Sequence, residues 1–335
     1  MTVHRRALRK IRDLTVADST VILNAVQRHV MQQAVLPDPE RAEDMLHPSD
    51  MCKADWCARA DFYRIVKAPF DTRATSPSFT LENIFEEGHD IHRKWQGWLH
   101  EMGVLYGVFF CRACRERWWD TSPMDCPHCG STRRPLYQEI PLVAEELRII
   151  GHADGGINKP NEPLRLLEIK SIGLNSLRFE APDLWERYQN NESMDKIWMD
   201  VKRPFNNHLR QGMLYLYLIN RGADGIYCPE IVFIYEFKPN QRVKEFVVKY
   251  NPRYVERMLA GAENVVAALD SGRPPKRPHW ADDEHHKICL GCGFRTHCWK
   301  LDDGQTQQQE DAAQIVPIKR AKSAVRRRAL ARPTG

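Results

Sequence analysis

The chain is expected to fold as an α/β domain, and two features predict this. Residues 79–102 place Leu81, Ile84, Phe85, Ile91, Trp95, Trp98 and Leu99 near helical spacing. Strand-like runs then occupy 136–143, 147–157 and 164–170, followed by a helix over 206–221 and strands near 230–237 and 243–250. The order of helix, three strands, helix and strand builds a sheet with helices against it.

Taken in order, residues 1–47 read as mainly helical, with Val21, Ile22, Val26, Val30 and Met31 as an apolar face. A cysteine-rich insert occupies 111–129. The segment 174–205 is mixed, with Trp185, Tyr188 and Trp198 among polar residues. A last helix is expected over 252–269, and Pro274, Pro275 and Pro278 mark a linker to the final cysteines. The expected organisation is an N-terminal helical region (1–50), a main domain (51–300) carrying a ribbon at 108–132, and a basic tail (301–335). No internal repeat is present.

At 335 residues the chain can bury a sizeable core. With 42% hydrophobic residues it has the composition of a soluble protein, and no apolar run approaches the roughly 20 residues of a membrane span. The N-terminus is basic but lacks a following apolar region, so it does not read as a secretory signal, and a cytoplasmic location without membrane partners is expected. Net charge is +5, yet 313–335 alone carries seven Lys or Arg and no acid. Such a tail suits contact with phosphates or simply solvation.

Ten cysteines in a cytoplasmic chain point to metal rather than disulfides. Cys111, Cys114, Cys126 and Cys129 form C-x2-C-x11-C-x2-C, the spacing of a tetrahedral structural zinc ribbon with no open coordination position. The nearby arginines and Trp118 and Trp119 suit either contact with DNA or packing on the main domain. Cys289, Cys292 and Cys298 form C-x2-C-x5-C, one ligand short of four. Cys57 is the preferred fourth ligand and Cys52 the runner-up, with His286 and His297 as further candidates. Spacing leaves both an iron–sulfur cluster and a second zinc open. Cys228 has no partner spacing and reads as core.

Asp154 follows one apolar run, and Glu168-Ile169-Lys170 ends the next. In a hairpin the two carboxylates can meet at a sheet edge, with Lys170 on the same face as Glu168. Carboxylates hold a hard cation such as Mg2+ or Mn2+, and an ammonium beside it can orient water or offset phosphate charge. Gly88 and His92 share one helical face. So do Gln211 and Tyr215, four residues apart. Each pattern alone also fits a bland surface or core helix.

Together the elements run G-x3-H, D, E-x-K, Q-x3-Y and C-x2-C-x5-C, from Cys57 to Cys298. That order resembles the RecB-type nucleases of the PD-(D/E)xK superfamily, in their iron–sulfur branch. The branch holds AddB-type nuclease domains and CRISPR-associated RecB-family exonucleases, with relatives in phages. The resemblance implies a restriction-endonuclease-like core with a mixed sheet. It implies that His92, Asp154, Glu168 and the carbonyl of Ile169 bind Mg2+ or Mn2+. Lys170 would activate or position the attacking water, while Gln211 and Tyr215 line the site and contact DNA. Cys57, Cys289, Cys292 and Cys298 would hold a structural [4Fe–4S] cluster. Two departures stand out: the ribbon is an addition to the family pattern, and Ala58 follows Cys57 where the family often has proline.

The expected activity is hydrolysis of DNA from its ends, favouring single strands, in recombination, repair or processing. If phage-encoded, the protein would act in the host cytoplasm. No Walker A motif is present, so a helicase or recombination partner would supply any unwinding. The alternatives are a non-catalytic nucleic-acid-binding module and a nuclease subunit active only within a larger assembly. Trp185 and Trp198 are candidate platforms for unpaired bases, with core packing the favoured reading.

Overall fold

The computed structural model describes residues 22–34, 41–71, 78–222, 225–281 and 283–300. Val21 of the expected N-terminal face and the basic tail lie outside these residues. The described chain divides into two units. The smaller contains α1 (Leu23–Ala34) and the first turns of α4 (Phe79–Glu101). No side chain of α1 is buried; Ile22 and Val26 are exposed.

The larger unit begins at Arg41 rather than near residue 50. Leu46 is fully buried, and its backbone amide donates to the carbonyl of Arg148. Two short helices follow, α2 (Pro48–Met51) and α3 (Ala58–Ile65), and then the rest of α4 from Gly88. The sheet comes next, in β1 (Leu105–Phe110), β2 (Arg117–Thr121), β3 (Leu136–Gln138), β4 (Ile140–Ala144), β5 (Ile149–Ala153), β6 (Gly155–Ile157) and β7 (Arg165–Ile172). The mixed segment resolves into α5 (Leu177–Glu180), α6 (Pro182–Gln189) and α7 (Met194–Asp200). Then come α8 (Asn206–Arg221), β8 (Glu230–Phe237), β9 (Arg242–Lys249) and α9 (Glu256–Ser271). The expected helix at 252–269 opens with a separate 3-10 turn at Pro252–Tyr254. Two short helices, α10 (Lys287–Leu290) and α11 (Arg295–Lys300), carry the last cysteines.

The main sheet is mixed, in the order β2-β1-β6-β7-β8-β9, with β3 also paired to β1. Strands β7 and β8 are parallel, as a connection through α5 to α8 permits, and the other pairs are antiparallel. Strand β8 is buried almost throughout, as a central strand covered on both faces should be. Strand β9 exposes alternate residues, as an edge strand does.

Side-chain alternation sorts the core into two layers. Leu167, Ile169, Val232 and Ile234 pack with Ile91, Trp95 and Leu99 of α4. Leu166, Ile231, Phe233 and Tyr235 pack on the other side with Met213, Leu214 and Leu216 of α8. Gly212 lets α8 approach that layer closely: a Cβ there would lie 2.5 Å from the ring of Phe233. Strands β4 and β5 form a separate two-stranded sheet whose side chains join this second layer. Trp198 is buried and stacks on Phe237 at 4.7 Å, and Trp185 packs against the core, so both tryptophans are structural. Cys228 is buried in the same layer. Among the described residues no helix is long and apolar enough to cross a membrane.

Candidate metal centre and cysteine sites

Asp154 sits where the chain leaves β5 for β6, crossing from the small sheet to the large one. The expected hairpin is present, with β6 paired antiparallel to β7, but it lies inside the sheet rather than at its edge. Glu168 and Lys170 lie on β7, an interior strand between β6 and β8, and Asp154 and Glu168 are both buried.

Asp154 is held through its backbone and its carboxylate alike. Its carbonyl accepts from Gln96 of α4 at 3.0 Å and from the Tyr137 hydroxyl at 2.9 Å. Its Oδ2 accepts from the Ile169 amide at 2.5 Å, while Oδ1 lies 3.2 Å from His92 Nδ1. The ring of Tyr137 reaches this carbonyl by passing over Gly107 and Gly155, where a Cβ would come within 2.8 Å of it. Gly88 brings α4 close to β7; a Cβ on Gly88 would lie 3.3 Å from the Ser171 hydroxyl.

The structure joins His92 and Asp154 to a residue the motif reading missed, Glu139. Ligand atoms of His92, Glu139 and Asp154 lie within 4.8 Å of one another. Glu139 precedes β4 and is the only acid in the apolar run 136–143. In sequence it stands two residues from Tyr137 in what reads as one strand, and that was the available signal, although the structure breaks the strand at Glu139. Glu168 is outside this trio. Its Oε1 accepts from Lys170 Nζ at 2.7 Å, and its Oε2 is buried without a hydrogen bond. Ile169 enters through its amide to Asp154.

Lys170 also donates to Gln211 Oε1 at 3.0 Å, and Gln211 Nε2 donates to the Tyr215 hydroxyl at 2.8 Å. Both α8 residues are buried; Gln211 holds Lys170, and Tyr215 holds Gln211. Burial pushes the Glu168 carboxyl up to about 8, opposed by the Lys170 ammonium and reinforced by Asp154. Burial pulls Lys170 down, but Glu168 and Asp154 more than compensate, and its net shift is upward. Burial likewise lowers His92, and the Asp154 carboxylate overcomes that to raise it.

These groups fit a hard divalent cation. They offer carboxylate oxygens and one imidazole, and the Glu168 Oε2 atom is a buried acceptor with no protein donor. Such an oxygen costs free energy unless something positive faces it.

The ribbon cysteines have the geometry of a mononuclear site. Sγ atoms of Cys111 and Cys129 lie 3.7 Å apart, and those of Cys114 and Cys126 lie 3.6 Å apart. Tetrahedral zinc with bonds of about 2.3 Å sets sulfurs about 3.8 Å apart. Two matching knuckles build it. The Arg115 amide donates to Cys111 O and the Gly130 amide to Cys126 O, with left-handed backbone at Arg115 and Gly130. The four cysteines are compatible with a zinc ribbon, and β1 that carries Cys111 toward it belongs to the main sheet.

Cys57, Cys289, Cys292 and Cys298 line one cavity, together with Trp280, Arg59 and Arg277. They form no set within 4.8 Å, so they are spread wider than a single ion requires. The Trp280 indole nitrogen is buried there with no hydrogen-bond acceptor, which suits a sulfur-rich guest. Cys52 is elsewhere, buried in the main core with its thiol toward Ser49 O, and His286 and His297 do not line the cavity.

No family model matches the chain, and no curated protein does. Among solved structures it shows a distant likeness to the crystal structure of SSO0001, at 13% identity over 83% of this chain and 96% of that one, with a TM-score of 0.37.

Proposed function

We propose that this protein is a metal-dependent DNA exonuclease of the PD-(D/E)xK type. The observation that carries the reading is the convergence of His92 of α4 and Asp154 with Glu168 and Lys170 of β7 around two buried carboxylates. A bound Mg2+ or Mn2+ would neutralise charge on the scissile phosphate and acidify a water. Asp154 and Glu168, with His92 and Glu139, would hold the ion. The Glu168 and Asp154 carboxylates favour the charged form of Lys170. Its ammonium, fixed by Glu168 and Gln211, donates hydrogen bonds to the attacking water or a phosphate oxygen and offsets charge as the transition state forms. Tyr215 and Gln211 position Lys170, and Tyr137 and Gln96 position Asp154. Action at ends, preference for single strands and the [4Fe–4S] assignment follow the family resemblance.

The test is degradation of end-labelled single-stranded and duplex linear DNA, and of closed circles, with Mg2+ or Mn2+. Cleavage of linear DNA that is lost in both Asp154→Ala and Lys170→Ala, with circles spared, is the expected result. Absence of cleavage by anaerobically prepared wild type would leave a binding module or a subunit that needs its partner.

A further inference from the structure

A cavity of about 290 Å³ opens beside the metal centre, lined by His92, Lys170, Ser171, Ser176, Phe179 and His208, among others. It lies toward the carboxyl end of β7, the side of a parallel strand pair where ligands bind in open α/β sheets. Its walls differ in charge. Lys170 stands at one part of the lining and Glu180 at another, the Glu180 carboxylate accepting from Asn207 at 2.8 Å.

Phe179 is the feature that the catalytic reading does not use. It is 76% exposed, although it belongs to α5, whose Leu177 is fully buried and fixes the helix to the core. The Arg178 guanidinium lies 5.6 Å from its ring centroid. A water-exposed ring at the wall of this cavity is what a base needs in order to stack, and every base offers a π face.

We propose that Phe179 is the stacking platform for the base next to the scissile phosphate, and that this cavity is the subsite for one unpaired deoxynucleotide. The inference rests on the nuclease reading. Charge sets the orientation. A phosphate is attracted to Lys170 and repelled by Glu180, whereas a base amino group is accepted by Glu180. The sugar-phosphate therefore faces the metal centre and the base faces Phe179 and Glu180. A base stacked there has left its partner strand, so the subsite selects single-stranded ends.

The experiment measures binding of single-stranded and duplex oligonucleotides carrying 2-aminopurine near one end, in EDTA to prevent hydrolysis. Wild type is compared with Phe179→Ala and Phe179→Trp, and each is also assayed for cleavage with Mg2+ or Mn2+. Fluorescence should be quenched by wild type. Single-strand affinity should fall about 5- to 100-fold in Phe179→Ala and be retained in Phe179→Trp, with duplex binding unchanged. Wild-type cleavage together with unchanged quenching and affinity in Phe179→Ala overturns the subsite and leaves the nuclease standing. Wild type that neither cleaves nor binds DNA removes both. Because Phe179 is so exposed, neither substitution should disturb folding, and melting curves check this.

Discussion

Asp154→Asn separates metal binding from folding. Asp154 Oδ2 accepts from the Ile169 amide and Oδ1 faces His92. The asparagine amide oxygen can still accept from Ile169, while one negative charge leaves a cluster that also contains Glu168 and Glu139. A hydrogen bond to a charged acceptor exceeds a neutral one by roughly 1 kcal/mol, and relief of carboxylate repulsion works against that loss. In EDTA the variant should therefore melt within about 4 °C of wild type. Metal reverses the balance. A ligand at 100 times its Kd stabilises by about 2.7 kcal/mol, or roughly 5–11 °C for a domain of this size. Wild type titrated with Mg2+ or Mn2+ should show that rise, and Asp154→Asn should show less than a third of it. Differential scanning fluorimetry across a metal series measures both. An equal metal-dependent rise in the variant, or no rise in wild type, would refute the assignment of Asp154 as a ligand.

Metal binding should also release protons, because His92 and Glu168 are both shifted upward by the fold. Between the ordinary carboxylate value of 4.5 and about 8, the folded metal-free protein holds a Glu168 proton that the unfolded chain has lost. Its stability should thus fall as pH rises through that window, with His92 acting in the same sense, and metal should flatten the fall. Calorimetry in two buffers of different ionisation enthalpy should count the released protons, with fewer in Glu168→Gln. Cys57→Ser should abolish the brown chromophore of anaerobic protein, whereas Cys52→Ser should keep it; a colourless wild type with two zinc ions would exclude the cluster. Tyr137→Phe removes one hydrogen bond to the Asp154 carbonyl, and kcat should fall by up to about tenfold with little change in KM.

The helices and strands were legible where periodicity was long. The helix at Asn206–Arg221 and the strand at Glu230–Phe237 fall where the pattern puts them, because burial on one or both faces leaves a regular apolar record. Asp154, Glu168 and Lys170 were legible as a motif, but their interior position was not. Alternation tells which residues share a face, while strand order depends on pairings between distant segments, such as β6 with both β1 and β7. Glu139 was missed because a single acid in an apolar run has many ordinary reasons to be there; only its approach to Asp154 singles it out. Phe179 was passed over for the opposite reason. Trp185 and Trp198 are larger and drew attention as stacking candidates, yet size favours burial, and the smaller ring on a four-residue helix is the one left in water.

One edge of β1 meets β6 at Leu105 and Tyr106 and β3 at Val108 to Phe110. The ribbon knuckles close one end of this strand group, and Tyr137 of β3 reaches across to Asp154. With zinc in the ribbon and a divalent ion at Asp154, as proposed, chelating agents would damage the protein on two clocks. Loss of the divalent ion at Asp154 would be immediate and reversed at once by added Mg2+. Loss of zinc from the ribbon would be slower and would let β3 drift, and added Mg2+ would not repair it. A preparation stripped of metal for a control experiment would then carry a hidden defect, curable only by returning zinc before the assay.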